Sequence, residues 1–444
     1  MATVTTRDSR QRYAFVGTGH RAEMFFSSLV EQHHDLARPV ALCDTNDVRM
    51  AYYQRLLDES VGDTGALATY PASKFEAMLA EEQPDTVVVT SPDHTHAGYI
   101  TSALDRGCRV VSEKPLTVDA EGCREIAASA ERADRDLVMT FNYRYSPRNS
   151  MVRQLLVEGA VGEVTSVSFE WLLDTVHGAD YFRRWHREKR NSGGLLVHKA
   201  AHHFDLVNWW LGDVPTEVYA HGSLRCYGPD APAASDPAPF DLDLESTPRL
   251  QALYGGPASA DGYVRNRSVF AEGVDIEDNM AALVRYEGGP SLSYTLNAHS
   301  PWEGYRVAVN GTRGRLELDV CERAEVRTAS DVLDPSVTPQ RAAGDTSPRR
   351  PGSRLLLQRH WSPAEEIAVP EGEGAHGGGD DLLLRDVFRG TDPDPLQRRA
   401  DYRDGVRSVL VGVAANDSIR TGRPVRVADL GVPRRAYEPR TQEK

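Results

Sequence analysis

Apolar residues in the first 145 positions come in short continuous runs, and between the runs they recur every three to four places. A continuous run of four or five reads as a strand buried on both faces, and the 3.6-residue recurrence reads as an amphipathic helix. The runs are Arg12-Tyr13-Ala14-Phe15-Val16, Val40-Ala41-Leu42-Cys43-Asp44, Thr86-Val87-Val88-Val89-Thr90, Arg109-Val110-Val111-Ser112 and Leu137-Val138-Met139-Thr140-Phe141. Helical spacing occupies a stretch near 46–59, Ser73 to Glu82, His96 to Arg106 and Ala120 to Ala133. This alternation predicts an α/β fold with a doubly wound parallel sheet over residues 1–150. At 444 residues the chain exceeds one ordinary domain, which leaves 151–444 for a second.

In an open parallel sheet, ligands bind beyond the carboxyl ends of the strands, and here those ends carry the chemistry. Gly17-Thr18-Gly19-His20-Arg21-Ala22 follows the first strand as G-x-G-x-x-A. Gly17 allows the tight turn and Gly19 lets backbone approach a phosphate. Ala22 keeps the next helix close to the sheet, so that its N-terminal N–H groups hold the anion. The same pattern also makes ordinary turns, so context decides. Asp44 ends the second strand 27 positions beyond Gly17, where an acid accepts both ribose hydroxyls of NAD and repels a 2′-phosphate. Its competing reading is a cap, because Asp44-Thr45-Asn46-Asp47 is rich in capping residues. Arg49 offers a partner for a 2′-phosphate, so the preference for NAD over NADP is one of degree. Ser91-Pro92-Asp93-His94-Thr95-His96, Glu113-Lys114-Pro115 and Asn142-Tyr143-Arg144 close the remaining strands.

Composition narrows the classes. A net charge of −14 argues against nucleic acid or anionic membrane as partners, since both need a basic surface. No stretch approaches the roughly 20 apolar residues of a membrane span. Met1 to Arg10 lacks an apolar signal core, so a cytoplasmic address is expected. Cysteines 43, 108, 123, 226 and 321 are odd in number and lack C-x-x-C spacing, which predicts reduced, structural thiols and no thiolate metal site.

Taken together, Gly17-Thr18-Gly19, the 91–96 segment, Glu113-Lys114-Pro115, Asn142-Tyr143-Arg144 and the helix opening at Gly193-Gly194 resemble the glucose-fructose oxidoreductase, inositol dehydrogenase and MocA (Gfo/Idh/MocA) family. The likeness covers 12–225 and resumes at 278–318 and 404–422. It implies a Rossmann domain followed by an α/β domain with a large, mostly antiparallel sheet that covers the nicotinamide, and a homo-oligomer, dimer or tetramer. It implies NAD held by Gly17, Thr18, Gly19, His20, Arg21, Asp44, Ser91, Pro92, His94, His96, Glu113, Lys114 and Asn142, with Lys114 beside the reacting hydroxyl. Physical chemistry supports that lysine independently. An ammonium near a carbonyl oxygen stabilises developing alkoxide, and an amine of depressed pKa beside a cationic nicotinamide shuttles the alcohol proton. The competing reading is a solvated Glu-Lys-Pro at a strand exit.

One departure from the family pattern matters. In Gly193-Gly194-Leu195-Leu196-Val197-His198-Lys199-Ala200-Ala201-His202-His203-Phe204-Asp205, the family carries an aspartate where His198 stands, while His202 keeps the family histidine. At i, i+4 the two imidazoles share one side of the helix. Three readings stay open: His202 assists proton and hydride transfer with His198 replacing the carboxylate; His198, His202 and Asp205 bind a metal; or the histidines are structural and Asp205 caps or pairs. Lys199 and His203 point about a hundred degrees away, so they reach the same pocket only if the helix is irregular.

Upstream, Asp174 to Arg187 form an aromatic and basic loop in which arginine forks suit anions and aromatic faces suit sugar rings, or in which the arginines simply pair with carboxylates. Tyr143, Arg144, Tyr181, Arg183, Arg184, Trp185, Lys199 and His203 are the expected substrate contacts. Relative to a minimal family member, residues 226–276 and 329–380 are Pro-rich or Gly-rich insertions, expected as a lid, a subunit contact or a hinge that includes His376 and Gly377.

The expected function is NAD-dependent removal of hydride from a secondary carbon of a sugar or cyclitol, with Lys114, His202 and His198 as the acid/base set. A second expectation, of another class, is a redox-neutral glycoside hydrolase. There NAD is recycled through oxidation, elimination, water addition and re-reduction, on an anionic sugar glycoside such as a sulfoquinovoside. A non-catalytic dinucleotide sensor is disfavoured by the intact Glu113-Lys114-Pro115.

Overall fold

The computed structural model describes residues 8–62, 65–236, 240–245, 247–256, 258–326, 348–370, 372, 378–390 and 393–439. Strands β1 (Gln11–Val16), β2 (Ala37–Asp44), β3 (Ala68–Pro71), β4 (Thr86–Val89), β5 (Arg109–Ser112) and β6 (Leu137–Met139) pair in parallel, in the spatial order β3-β2-β1-β4-β5-β6. Helices His20–Gln32, Asp47–Val61, Phe75–Glu82, His96–Asp105 and Ala120–Arg132 connect them. All four residues of β4 are buried, as a strand covered by helices on both faces requires. The expected strands and helices fall where the apolar spacing puts them. β3 is the exception: Ala-Thr-Tyr-Pro is too short and too polar to stand out, and it forms because it lies on the sheet edge.

The second sheet uses β7 (Val164–Asp174), β8 (Pro215–Ser223), β9 (Asn279–Tyr286), β10 (Ser291–Ser300), β11 (Glu303–Gly311), β12 (Gly314–Arg323), β13 (Gly352–Arg359) and β14 (Ala364–Ile367). Near the C-terminus the chain adds β15 (Ala400–Asp401) to β6 and β16 (Val425–Arg426) to β8. The large sheet runs β14-β13-β12-β11-β7-β10-β9-β8-β16, antiparallel throughout except for β7 with β10. In β9 every second residue is buried and the others are exposed, so one face packs inward and the other faces out. Buried aromatics of the inner face, Phe169, Trp171 and Tyr294, meet the helix Ala200–Leu211 through stacked and tilted ring contacts with His203 and Phe204, and Tyr305 stacks on Trp171.

Two departures concern the segments expected to be irregular. The described part of 329–380 includes β13 and β14, which widen the large sheet; His376 and Gly377 lie outside the described residues. Leu250, Leu253 and Tyr254 of the 226–276 insertion pack into the same core as Phe25 and Tyr53, so this part of the insertion lies against the first domain as a strap, while Tyr227, Val269 and Phe270 pack into the other core. The helix Gly379–Arg389 also returns there, burying Leu383, Leu384 and Val387 in that core and pairing Arg389 with Asp35 at 2.8 Å. A boundary at residue 150 therefore omits C-terminal segments that complete the first domain. Among the described residues, no helix is long and apolar enough to cross a membrane.

Candidate active site

The carboxyl ends of β1, β2, β4 and β5 open onto a cleft of about 580 Å³ whose opposite wall comes from the second domain. Gly17 turns at φ +84°, and a Cβ there would stand 2.4 Å from the Ser91 nitrogen, so only glycine lets β1 turn against the exit of β4. His20 and Arg21 open the following helix at the cleft wall. Asp44, 7% exposed, accepts from the Thr18 N–H at 2.5 Å, the Thr18 hydroxyl at 2.9 Å and the Asn46 N–H at 2.9 Å. Arg49 is gripped by Asp44 at 3.0 Å and by Asp261 of the strap at 2.5 Å. Two carboxylates around one guanidinium leave little positive potential for a 2′-phosphate, which favours NAD. A glycine turn, helix N–H donors and an acid at the second strand end fit a dinucleotide.

Glu113 is held by Arg21 at 2.7 Å and by the Thr140 hydroxyl at 3.1 Å. His96 is buried with its ring nitrogens 2.8 Å from the Pro115 carbonyl and 2.9 Å from that of Ser91. Burial depresses its protonation, so the neutral ring donates to one carbonyl at a time and braces the exits of β4 and β5.

Where the nucleotide cleft meets the second domain, three side chains form a line. The Lys114 ammonium nitrogen lies 3.3 Å from His198 Nε2, and His198 Nδ1 lies 2.5 Å from an Asp93 carboxylate oxygen. Asp93 and His198 are buried and Lys114 is half-buried, and desolvation moves each toward its neutral form, the lysine and histidine down and the aspartate up, opposed at Asp93 by the Lys114 and Arg184 charges. The carboxylate missing from the helix is thus supplied by the loop after β4. Asp93 is the residue sequence reasoning passed over, although it stands inside the 91–96 segment; its signal was the vacancy created by His198.

His198 ends the short helix Leu195–His198, and Lys199, itself in right-handed helical backbone at φ −87°, ψ −45° with its N–H on the Leu195 carbonyl at 3.1 Å, leads directly into Ala200–Leu211. Lys199 lines the cleft beside His198 and His202, while His203 turns into the core, its Nδ1 2.6 Å from the Tyr294 hydroxyl. Lys199 is 3% exposed and its ammonium rests 4.9 Å from the ring centre of Trp171 and 5.6 Å from that of Tyr143. Burial lowers its pKa to about 8. Tyr181, Arg184 and Trp185 line the same wall, joined by His177 and His186, which had not been singled out. His177 bridges Glu303 at 2.7 Å and the Tyr181 hydroxyl at 3.2 Å.

Several expected contacts are placed elsewhere. Arg144 is buried in a bidentate pair with Asp205 and reaches Asp404 at 3.2 Å, which takes it out of the cleft and gives Asp205 a pairing role. Arg183 donates to the Phe240 carbonyl behind the wall. Tyr143 lies beneath Lys199 and His202, and Asn142 donates to Asp380 at 2.6 Å. Neither side chain lines the cleft, and Thr18 is turned onto Asp44. With His198 on Asp93 and Asp205 on Arg144, the metal reading loses its ligands; no metal-binding cluster occurs among the described residues.

Two family models match in series: the NAD-binding Rossmann fold over residues 11–141 and the C-terminal alpha/beta domain of the same oxidoreductase family over 153–427. This chain belongs to the Gfo/Idh/MocA oxidoreductase family. Among its relatives, YteT of Bacillus subtilis is 32% identical, the alignment covering 94% of this chain and 97% of that protein. D-glucoside 3-dehydrogenase of Escherichia coli is 27% identical over 45% of this chain and 54% of its own length. The solved aldose-aldose oxidoreductase of Caulobacter crescentus, crystallised with glycerol, has a TM-score of 0.61 at 18% identity, covering 94% of this chain and 99% of its own. As a Gfo/Idh/MocA protein the chain is an NAD-binding oxidoreductase.

Proposed function

We propose that this enzyme removes hydride from a secondary carbon of a sugar or cyclitol, with Lys114 as the base that takes the hydroxyl proton. The observation that carries this reading is the Lys114–His198–Asp93 line at the junction between the nucleotide cleft and the aromatic wall. Bound NAD supplies the hydride acceptor. Lys114, kept short of protons by burial, accepts the alcohol proton, and His198 Nε2 receives it in turn. Asp93 holds the Nδ1–H tautomer and steadies the imidazolium that forms. His202 faces the same space and orients the substrate. The expected homo-oligomer belongs to the same proposal, with the outer face of the large sheet, where Tyr219 and Leu283 stand exposed side by side, as its contact.

A second reading, redox-neutral glycoside cleavage with a retained nucleotide, is favoured by the strap. Tyr254 accepts from the His20 N–H at 2.7 Å and Asp261 pairs with Arg49, so one insertion touches both the glycine turn and the helix after the second strand. Purified protein is assayed for co-purifying NAD, then given free sugars with added NAD and aryl glycosides without it. Net NADH formation supports the dehydrogenase, and aglycone release without NADH supports the hydrolase. If neither occurs and one-equivalent reduction of bound nucleotide is also absent with every sugar offered, both readings fall.

A further inference from the structure

We propose that the substrate of this cleft is an acidic sugar whose single negative charge, a carboxylate or a sulfonate, is held by the ammonium of Lys199. The inference rests on the sugar-binding reading of the site and adds what kind of sugar it is.

Lys199 is 3% exposed, and among the described residues its ammonium has neither an ion pair nor a hydrogen-bond acceptor, only the faces of Trp171 and Tyr143. Aromatic faces attract a cation but do not neutralise it, and a buried charge without a counter-ion is costly. The nearest candidates for a protein partner are engaged elsewhere: Glu303 by His177 and Arg323, Glu322 by Arg148. Lys199 lines the same cleft as His198 and His202, so its ammonium stands on the substrate wall.

Charge accounting along the wall gives the same answer. In the substrate half, with Lys114 neutral as the base, Lys199, Arg184 and Arg265 face Asp93 and Asp180, an excess of one positive charge in a chain whose net charge is −14. Asp180 is shared by two guanidiniums, 3.2 Å from Arg184 and 2.5 Å from Arg265, and Asp93 is committed to His198. A neutral sugar would leave that excess uncompensated; an anionic one supplies the missing charge. An ammonium is a compact point charge with three donors and does not read the planar shape of a carboxylate, so sulfonate and carboxylate are equally suited to it.

The test uses the NAD-loaded protein and three probes that differ at the exocyclic carbon: methyl glucuronide, methyl sulfoquinovoside and methyl glucoside. Binding is measured by calorimetry and turnover by reduction of bound nucleotide. At least one acidic probe is expected to bind about 10- to 100-fold more tightly than methyl glucoside, the range of a charge-assisted hydrogen bond. The preferred arm identifies the anion. In Lys199→Met the ratio of acidic to neutral kcat/KM falls to near one, and Lys199→Arg restores it in part. Equal or tighter binding of the neutral probe by the wild-type protein overturns the proposal, as does an acidic preference that survives Lys199→Met. Because the binding ratio needs no chemistry, an acidic preference without nucleotide reduction would support the assignment while counting against the hydride-transfer reading.

Discussion

Replacing Asp93 with asparagine tests the three-residue line with almost no change of shape. Asp93 accepts the His198 Nδ1–H at 2.5 Å, both side chains buried, and His198 in turn faces Lys114 at 3.3 Å. When the proton taken from the substrate reaches His198, the imidazolium draws Asp93 into its charged form and is stabilised by it; an amide oxygen offers a neutral hydrogen bond in its place. A hydrogen bond to a charged partner is worth about 1.5–3 kcal/mol against about 1 kcal/mol for a neutral one. The difference, about 0.5–2 kcal/mol, lowers the hydride-transfer rate by about 2- to 30-fold at 1.36 kcal/mol per tenfold. A second readout carries a sign. The Asp93 charge favours the Lys114 ammonium, so removing it lowers the lysine pKa further and moves the acid limb of the pH–rate profile to lower pH. Single-turnover reduction of bound nucleotide at 340 nm across the pH range measures both. An unchanged plateau rate, or an acid limb that moves upward, would refute the relay.

Other expectations follow from the same geometry. Lys114→Ala should reduce turnover by about 10³-fold or more while leaving NAD affinity, measured by calorimetry, within a fewfold of the parent. In the parent the rate should climb with pH through the depressed lysine pKa, so the limb lies below the ordinary lysine range; a midpoint at or above that range would contradict the burial argument. Asp44→Ala removes the acid at the ribose position and one of the two carboxylates on Arg49, and should raise the NADP-to-NAD ratio of kcat/KM by tenfold or more. Arg144→Ala should cost about 3–5 kcal/mol of stability, because Asp205 is left buried without its bidentate partner, and thermal unfolding reads the loss. Tyr254→Phe combined with Asp261→Ala should speed NAD release in a stopped-flow chase by at least tenfold if the strap retards it.

Periodicity and turn chemistry made the first domain legible because each strand of a parallel sheet buries a continuous run and each crossing helix buries one stripe. The glycine turn was equally plain, since the φ of Gly17 and its approach to Ser91 admit no other residue. What could not be read was which polar residues face one another across domains. Arg144 and Lys199 are both basic residues beside family motifs, yet one is locked to Asp205 and the other lines the cleft; the carboxylate that takes Arg144 lies 61 residues along the chain, where no spacing rule announces it. Asp93 was hidden for a related reason, its partner lying 105 residues away. The strap looked irregular because its apolar residues are few, but Leu250, Leu253 and Tyr254 suffice when a ready-made core receives them.

The strap also bears on who controls the oxidation state of the nucleotide. Its residues belong to the second domain's stretch of chain, whereas His20 and Arg49, which they hold, belong to the first. A freely exchanging cofactor reports the NAD/NADH ratio of its surroundings, and the direction of reaction follows that ratio. A nucleotide held beneath such a strap would equilibrate with its surroundings slowly and would behave as a resident redox group, oxidised or reduced according to the last sugar it met.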